Sequence, residues 1–199
     1  MGNLISSKVL AETLTKGRPP VTIPELKAQL AKRLVYEEAF SYSAGLFISD
    51  QQVDAAMPAA LGHLLNGTDQ SRAYLMENFE DTGGRLHMRM RYEVCRPEIS
   101  PVIDDALLQS LPFTRHSDEY HRRLSNNTHY NGILPDVPEL DHEIFSGRGA
   151  ISFLVLPIEV QGRWWGALGL ENCDQAYRWQ SDDIRLLRTA AAMIGAFIG

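Results

Sequence analysis

The chain has few of the residues from which redox and metal sites are commonly built. Its 199 residues include two cysteines, Cys95 and Cys173, which lie far apart in the sequence. Two thiols do not make a disulfide framework or a four-cysteine metal site. Walker-type phosphate loops, serine-nucleophile motifs and paired catalytic carboxylates at an interpretable spacing are also absent from the sequence. We therefore expect a protein that is not an enzyme and that carries no cofactor.

The chain also lacks a long apolar run and an excess of positive charge. No apolar run reaches the roughly 18 residues that a membrane span requires, and no secretory signal pattern is visible. The formal net charge of -6 opposes binding to nucleic acid, because the phosphate backbone requires a basic protein face. The sequence therefore predicts a cytoplasmic protein with neither a nucleic-acid nor a membrane partner.

Prolines and glycines divide the N-terminal part of the chain. Residues 1–24 are predicted to form a tail with at most one short helix, around residues 9–14. Apolar residues at helical spacing predict an amphipathic helix from Glu25 to about Gly45. A second helix is predicted over Gln51–Leu65, with an Asn-Gly pair to end it. Residues 25–199 are therefore predicted to form a single domain.

Two β-hairpins are predicted further along the chain, with an irregular insert between them. Ser71–Phe79 and Arg85–Val94 are predicted to form the strands of the first hairpin. Prolines break residues 96–148 into short helices and loops, and a long irregular insert of this kind is usually functional. Ile151–Val160 and Arg163–Leu170 flank a two-residue turn and are nearly continuous in apolar residues. The second hairpin should therefore be central and covered on both faces.

The second strand of the first hairpin alternates in polarity. Alternation predicts one buried face, formed by Leu86, Met88, Met90 and Tyr92. The other face would then carry Arg85, His87, Arg89 and Arg91. We favour a solvated sheet face for this basic set over an anion site, because alternating polarity is normal in a half-buried strand.

The helix predicted from about Ser181 to the end of the chain has a regular apolar stripe. Its residues are three and four apart, at Ile184, Leu187, Ala191, Ile194 and Ile198. Such a stripe either docks on the sheet or forms a seam with another helix. The predicted N-terminal helix carries a similar stripe at Leu26, Leu30 and Leu34. We therefore expect a homodimer that forms through the terminal helices.

Residues spread over most of the chain follow the pattern of one known family. They are Arg72–Leu75, Arg91–Val94, Ile103–Pro112, Ser152, Pro157, Gly162, Trp165-Gly166, Asn172-Cys173, Trp179 and Ile184–Leu187. On these residues the chain resembles a GAF domain of the type found in bacterial sensor histidine kinases and diguanylate cyclases. The resemblance implies an α/β (α+β) fold with a central antiparallel sheet of five or six strands. Terminal helices would cover one face, and a cap of loops and short helices the other.

The specialised chemistries of this family each make a demand on the sequence. Covalent bilin attachment needs a thiol beside the insert, and residues 105–148 contain no cysteine. The residue constellation of the cyclic-nucleotide-binding members is absent, as are the clustered thiols of the methionine-sulfoxide reductases. The insert does carry four histidines, His116, His121, His129 and His142. We favour exposed loop histidines over a haem or metal site, because the spacing of five between the first two does not place them on one helix face.

The resemblance implies a sensory domain that binds a small molecule between the cap and the sheet. Its predicted ligand residues are Tyr92, Phe113, Tyr120, Tyr130, Phe153 and Val155, each of which also suits an apolar core. Ligand binding would be relayed through the terminal helices to an output domain such as a histidine kinase or a diguanylate cyclase. The alternative is a ligand-free dimerisation and coupling module, and a haem- or metal-binding sensor is the weaker third hypothesis.

Overall fold

The computed structural model describes residues 22–49 and 52–199. The predicted tail, apart from its last three residues, and the helix predicted over residues 9–14 lie outside this described part. The chain forms two compact units, each with most of its contacts within itself, Met1–Leu34 and Val35–Gly199. In the first unit, the described residues form the start of a helix.

Helices and a single sheet account for most of the described residues. In chain order these residues form α1 (Ile23–Ser49), α2 (Val53–Thr68), β1 (Arg72–Glu80), β2 (Leu86–Cys95), β3 (Leu111–Pro112), a 3₁₀ turn (Phe113–Arg115), α3 (Asp118–Ser125), β4 (Tyr130–Ile133), α4 (Glu139–Ser146), β5 (Ser152–Val160), β6 (Arg163–Asn172) and α5 (Ser181–Ile198). The strands pair antiparallel in the order β3-β2-β1-β6-β5-β4. This arrangement confirms the predicted mixed fold with a central antiparallel sheet.

Alternate residues of β5 separate the two faces of the sheet. Leu154, Leu156 and Ile158 belong to the helix-side core, whereas Phe153 and Val155 belong to the cap-side core. The helix-side core consists of Met57, Leu61, Leu64, Leu65, Ala73, Leu75, Leu154, Leu156, Ile158, Leu168, Leu170, Trp179, Leu187, Ala190, Ala191 and Ile194. The cap-side core consists of Tyr74, Met76, Met88, Met90, Leu108, Leu111, Phe113, Tyr120, Leu124, Tyr130, Ile144, Phe145, Ala150, Phe153, Val155 and Ala167.

The apolar stripe of α5 docks on the sheet. Leu187, Ala191 and Ile194 are buried in the helix-side core, so α5 follows the docking alternative for its stripe. The approach is close, since a Cβ atom added to Gly195 would lie 2.3 Å from the carbonyl oxygen of Glu159 on β5. None of the helices formed by the described residues is long and apolar enough to cross a membrane.

A β-bulge in β2 changes which residues of the strand face the cap. Leu75 pairs with Tyr92 and Met76 with Met90, which leaves Arg91 as the extra residue. The bulge reverses the alternation, so Met90 faces the cap-side core while Tyr92 packs against the helix-side core. The prediction that Tyr92 shares a face with Leu86, Met88 and Met90 was therefore wrong, while the other three residues do face the cap-side core. A one-residue slip of this kind moves every later side chain to the opposite face.

The basic side chains of β2 are paired with carboxylates. Arg89 and Arg91 contact Glu77 at 2.6 Å and 3.2 Å. The turn before β2 adds a third pair, in which Arg85 lies 2.6 Å from Asp81. Exposed pairs of this type contribute little to stability. They agree with a solvated sheet face and leave no unpaired basic set for an anion.

Candidate functional site

The cap lies over the open face of the sheet and closes the cap-side core. It is formed by the insert, chiefly by the 3₁₀ turn, α3 and α4, while β4 of the insert joins the edge of the sheet. The cap-side core brings together five of the six predicted ligand residues, Phe113, Tyr120, Tyr130, Phe153 and Val155. The structure separates Tyr92 from them, because the bulge at Arg91 turns it toward α2, where its hydroxyl donates to Asp54.

Stacked aromatic rings fill much of the space between cap and sheet. Phe145 of α4 stacks on Phe153 of β5 with ring centroids 3.6 Å apart and an interplanar angle of 2°. His116 stacks on Tyr120 at 3.8 Å, and Tyr120 meets Tyr130 edge-on at 5.4 Å. The edge-to-face contact of Tyr120 with Tyr130 has the geometry that adds about 0.5–1.5 kcal/mol beyond the burial of area. Sequence reasoning missed Phe145, whose position on a short half-polar helix gives no periodic signal.

A buried carboxylate, Asp141 of α4, ties three pieces of the cap together. His116 Nδ1 lies 3.1 Å from its Oδ1, and the backbone amide of Ser117 donates to the same oxygen at 3.0 Å. The hydroxyl of Tyr130 on β4 donates to Oδ2 at 2.8 Å, and the Ser117 hydroxyl donates there as well. Burial alone would raise the pKa of Asp141, but the bonds from these three residues hold it below its ordinary value.

His116 is a buried histidine that contacts Asp141. It is 5% exposed, so the prediction that the insert histidines lie in exposed loops was wrong for His116. Of the other three, His121 is exposed, whereas His129 and His142 are half-buried. Burial lowers the pKa of His116, against the opposing pull of Asp141. In the neutral form of the ring, with Nδ1–H donating to Asp141, the Nε2 atom would carry a lone pair. Among residues 22–49 and 52–199, no three metal-binding side chains are grouped as a ligand set.

Two arginines and two glutamates form a buried network at the edge of the cap-side core. Arg72 of β1 contacts Glu93 at 2.8 Å and Glu171 at 2.6 Å. Arg148, in the turn after α4, contacts the other oxygen of Glu171 at 2.8 Å. The four side chains are between 0% and 6% exposed. Their charges cancel within the network, as the high cost of burying an isolated charge requires.

The guanidinium group of Arg148 reaches the aromatic layer. It lies 4.6 Å from the ring centroid of Phe145 and 5.1 Å from that of Tyr74. The ring of Tyr74 occupies the space left by Gly169, where an added Cβ would lie 2.0 Å from the ring. Sequence reasoning assigned no charge-based role to Glu171 and did not single out Arg148. Their partners lie up to 99 residues away, so no local spacing could have signalled the network.

The two thiols lie on opposite sides of β1, and the pKa of each is raised. Cys95 ends β2 opposite Arg72 of β1, while Cys173 follows β6 on the other side of β1. Burial raises the pKa of Cys95 to about 11 and raises the pKa of Cys173. A thiol with a raised pKa is protonated near neutral pH, and the protonated form does not attack.

A surface groove lies elsewhere, between the end of β5 and α5. Its volume is about 450 Å³, and its lining residues are Asn127, Pro157, Glu159, Gln161, Arg188, Ala192, Gly195, Ala196 and Gly199. None of these belongs to the cap-side core. The groove and the predicted ligand residues are therefore two distinct places on the molecule.

Comparison with known proteins identifies the relatives of the chain. The family profile of the GAF domain matches residues 60–198. The methanogenesis regulatory histidine kinase FilI of Methanothrix harundinacea is 33% identical over 180 residues, covering 88% of this chain and 20% of that protein. The circadian input-output histidine kinase CikA of Thermosynechococcus vestitus is 26% identical over 179 residues, covering 85% and 23%. The chain thus spans about a fifth of the length of these curated relatives.

Solved structures share the fold at low sequence identity. The phycocyanobilin-bound GAF domain of a cyanobacterial phytochrome has a TM-score of 0.65 and 13% identity, covering 84% of this chain and 93% of that one. Residues 122 to 287 of a methyl-accepting chemotaxis protein give a TM-score of 0.59 and 15% identity, covering 81% and 96%. At this identity the likeness establishes the architecture and carries no ligand over to this chain.

Proposed function

The chain belongs to the GAF family, and from that premise we propose that it is a sensory domain that binds a small molecule between its cap and its sheet. The two curated relatives are histidine kinases, which supports an output of the same kind. A bilin is the ligand of one structural neighbour. Since residues 105–148 contain no cysteine, we propose a ligand that is held without a covalent bond to the insert.

The observation that carries this proposal is the mixture of groups in and beside the cap-side core. Five predicted ligand residues meet there beside a buried histidine, a buried carboxylate and a buried arginine. A core that only held the cap on the sheet would gain little from these groups, because each buried polar group must recover its lost hydration. Ligand sites, in contrast, combine apolar and aromatic walls with a few polar groups that orient the ligand.

The relay that we propose follows β5 and β6. Phe153 and Leu154 are neighbours in β5 but belong to opposite cores, so a displacement of the cap reaches the helix-side core through one strand. Beyond β6 the chain continues to Trp179, a member of the helix-side core, and then enters α5. A ligand that prefers one arrangement of the cap would thereby bias the position of α5.

We propose that α1 pairs with α1 of a second copy. Its residues Leu26, Leu30 and Leu34 are 60%, 58% and 57% exposed, and they recur every four residues on one helix face. Burial of a leucine side chain yields about 1.5–3 kcal/mol, so such a stripe favours a partner. The dimer proposal rests on α1, because the stripe of α5 is used against the sheet.

One observation favours the ligand-free coupling module as a second candidate function. The rings of Phe145 and Phe153 stack directly on each other at 3.6 Å, so the side chains of the protein itself occupy part of the proposed ligand space. In either function we propose that the chain has no catalytic activity. The raised pKa values of both thiols support this, because the thiolate is the reactive form.

Native mass spectrometry with an absorption spectrum, followed by thermal melting against a panel of small molecules, tests the proposal. We expect a bound mass or a panel member that raises the melting temperature, since a ligand at 100 times its Kd adds about 2.7 kcal/mol. Tyr120→Phe and Tyr92→Phe each remove one phenolic hydroxyl, the first on the cap side of the sheet and the second on the helix side. We expect only Tyr120→Phe to weaken ligand binding. An uncoloured, empty dimer that no panel member stabilises would favour the coupling module instead.

A further inference from the structure

The two arginines of the buried network differ in the carboxylates that they contact. Arg72 has Nε 2.8 Å from Glu93 and Nη1 2.6 Å from Glu171, and it also donates to backbone carbonyl oxygens, one of them that of Arg148 at 3.0 Å. Arg148 has Nη2 2.8 Å from Glu171 and 3.4 Å from the hydroxyl of Tyr74. The Nε atoms of both arginines are buried and make no hydrogen bond within the part of the chain that the structure describes, although that of Arg72 lies close to Glu93.

The negative charge in the network is also unequally divided. Glu171 shares its carboxylate between both guanidinium groups, whereas Glu93 contacts Arg72 and donors of the backbone. Arg148 therefore contacts one carboxylate, that of Glu171, whereas Arg72 contacts two. A buried guanidinium with an unused donor is costly, because its lost hydration is not fully replaced. One donor atom of Arg148, Nε, is thus left without an acceptor among the described residues.

The unused donor lies beside the aromatic layer of the cap-side core. The guanidinium group of Arg148 lies over the rings of both Phe145 and Tyr74, and Phe145 in turn stacks on Phe153. Arg148 itself is 8% exposed, but Gly147 and Gly149 on either side of it are exposed. The Nε donor of Arg148 is thus next to the proposed ligand space, and the residues on either side of Arg148 in the chain reach the surface.

We propose that Arg148 binds the carboxylate of an aromatic carboxylic acid, which is the ligand class of the cap-side site. This inference rests on the proposed sensory function. A guanidinium group matches a carboxylate in shape and charge, and charge-assisted hydrogen bonds are about twice as strong as neutral ones. The aromatic body of the ligand would enter the aromatic layer beside Arg148, and the stacked rings of Phe145 and Phe153 would shift to admit it. The other buried carboxylate of the cap, Asp141, is engaged by donors from three residues and does not compete for Arg148.

Titration with benzoate, and with benzamide as its neutral isostere, tests this inference. Calorimetry and thermal melting measure binding, and the ¹⁵N–¹H spectrum of the arginine Nε–H groups reports the contact directly. The matched variants are Arg148→Lys and Arg72→Lys, which keep the charge beside Glu171 but remove one guanidinium each. The Nε–H resonance that is lost in Arg148→Lys and kept in Arg72→Lys is assigned to Arg148.

We expect benzoate to bind at least tenfold more tightly than benzamide and to move the Arg148 Nε–H resonance. Arg148→Lys should weaken benzoate binding at least tenfold, while Arg72→Lys lowers stability and leaves benzoate affinity within twofold. If Arg148→Lys does not fold, the wild-type spectrum decides, with the resonance identified by its loss in a folded Arg148→Gln/Glu171→Gln variant.

Three outcomes would overturn the inference. They are equal affinity for benzoate and benzamide, benzoate affinity that is unchanged in Arg148→Lys, and benzoate binding that leaves the Nε–H resonance in place. Preference for benzamide would overturn the carboxylate and leave the sensory function standing. If neither probe binds, the inference fails by itself, and the wider panel of small molecules decides separately on the sensory function.

Discussion

Replacement of Asp141 by alanine should destabilise the domain by about 3–5 kcal/mol. The carboxylate is fully buried at 0% exposure and accepts bonds from His116, Ser117 and Tyr130. In the variant the Ser117 amide loses the acceptor that it has in the structure, and an orphaned buried donor costs about 1–3 kcal/mol. The bonds from the Ser117 hydroxyl, Tyr130 and His116 to a charged acceptor are lost as well, at about 1.5–3 kcal/mol each, and the removed cost of burying the carboxylate offsets part of this loss.

Asp141→Asn refines this prediction because it preserves the shape of the side chain. The amide oxygen can still accept from His116 and the Ser117 amide, and the amide nitrogen can donate to the two hydroxyls, which also accept. The cost should therefore be about 1 kcal/mol, the difference between a charged and a neutral acceptor. The contrast between the two variants separates hydrogen bonding from packing at one site.

Urea unfolding with linear extrapolation measures these free energies. Glu143→Ala is the matched control, since Glu143 lies on the same helix, is 57% exposed and contacts Arg115 only at 3.9 Å. Its unfolding free energy should stay within about 0.5 kcal/mol of the wild type. Equal costs for Asp141→Ala and Glu143→Ala would refute the view that Asp141 holds the cap together.

Three further predictions concern pH, packing and assembly. The pKa values of His116 and Asp141 are both lowered in the fold, so the unfolded state takes up protons more readily than the folded state. The free energy of unfolding should therefore fall as the pH drops below the ordinary histidine pKa of 6.5, and fall again through acid pH as Asp141 is protonated. In a pH series of urea melts, His116→Asn should lessen the first of these two declines. Gly195→Ala should cost about 1–2 kcal/mol because its Cβ meets a backbone oxygen, whereas Gly62→Ala, with open space in α2, should stabilise by about 0.5–1 kcal/mol in the same assay. Leu30→Glu should convert a dimer to a monomer in sedimentation velocity, and an unchanged sedimentation coefficient would contradict pairing through α1.

The elements of the fold were predictable because their signals are local. The second hairpin was found from its apolar runs and its turn, and it forms β5 and β6. The end of α2 was missed by a few residues, because Gly67 stays helical and serves packing: its added Cβ would lie 3.0 Å from the Cβ of Ala39. Asp69, with a φ of 55°, takes the left-handed position instead.

The site was predictable only where it follows strand alternation. Phe153 and Val155 could be assigned to one face of β5 by counting residues. Tyr92 could not, because the bulge at Arg91 depends on the pairing of β2 with β1. The polar members of the site depend on contacts between distant segments, as in the pair of Arg148 with Glu171. Sequence alone does not encode such pairs at any recognisable spacing.

The alanine methyl groups of the domain report most directly where a ligand binds. Ala150 and Ala167 belong to the cap-side core, Ala192 and Ala196 line the surface groove, and Ala191 lies in the helix-side core. A methyl spectrum is recorded while the protein is titrated with the small molecule that raises its melting temperature most. The proposed site predicts the largest shifts at Ala150 and Ala167, with a smaller relayed shift at Ala191. Shifts confined to Ala192 and Ala196 would place the ligand in the groove and contradict a site between cap and sheet.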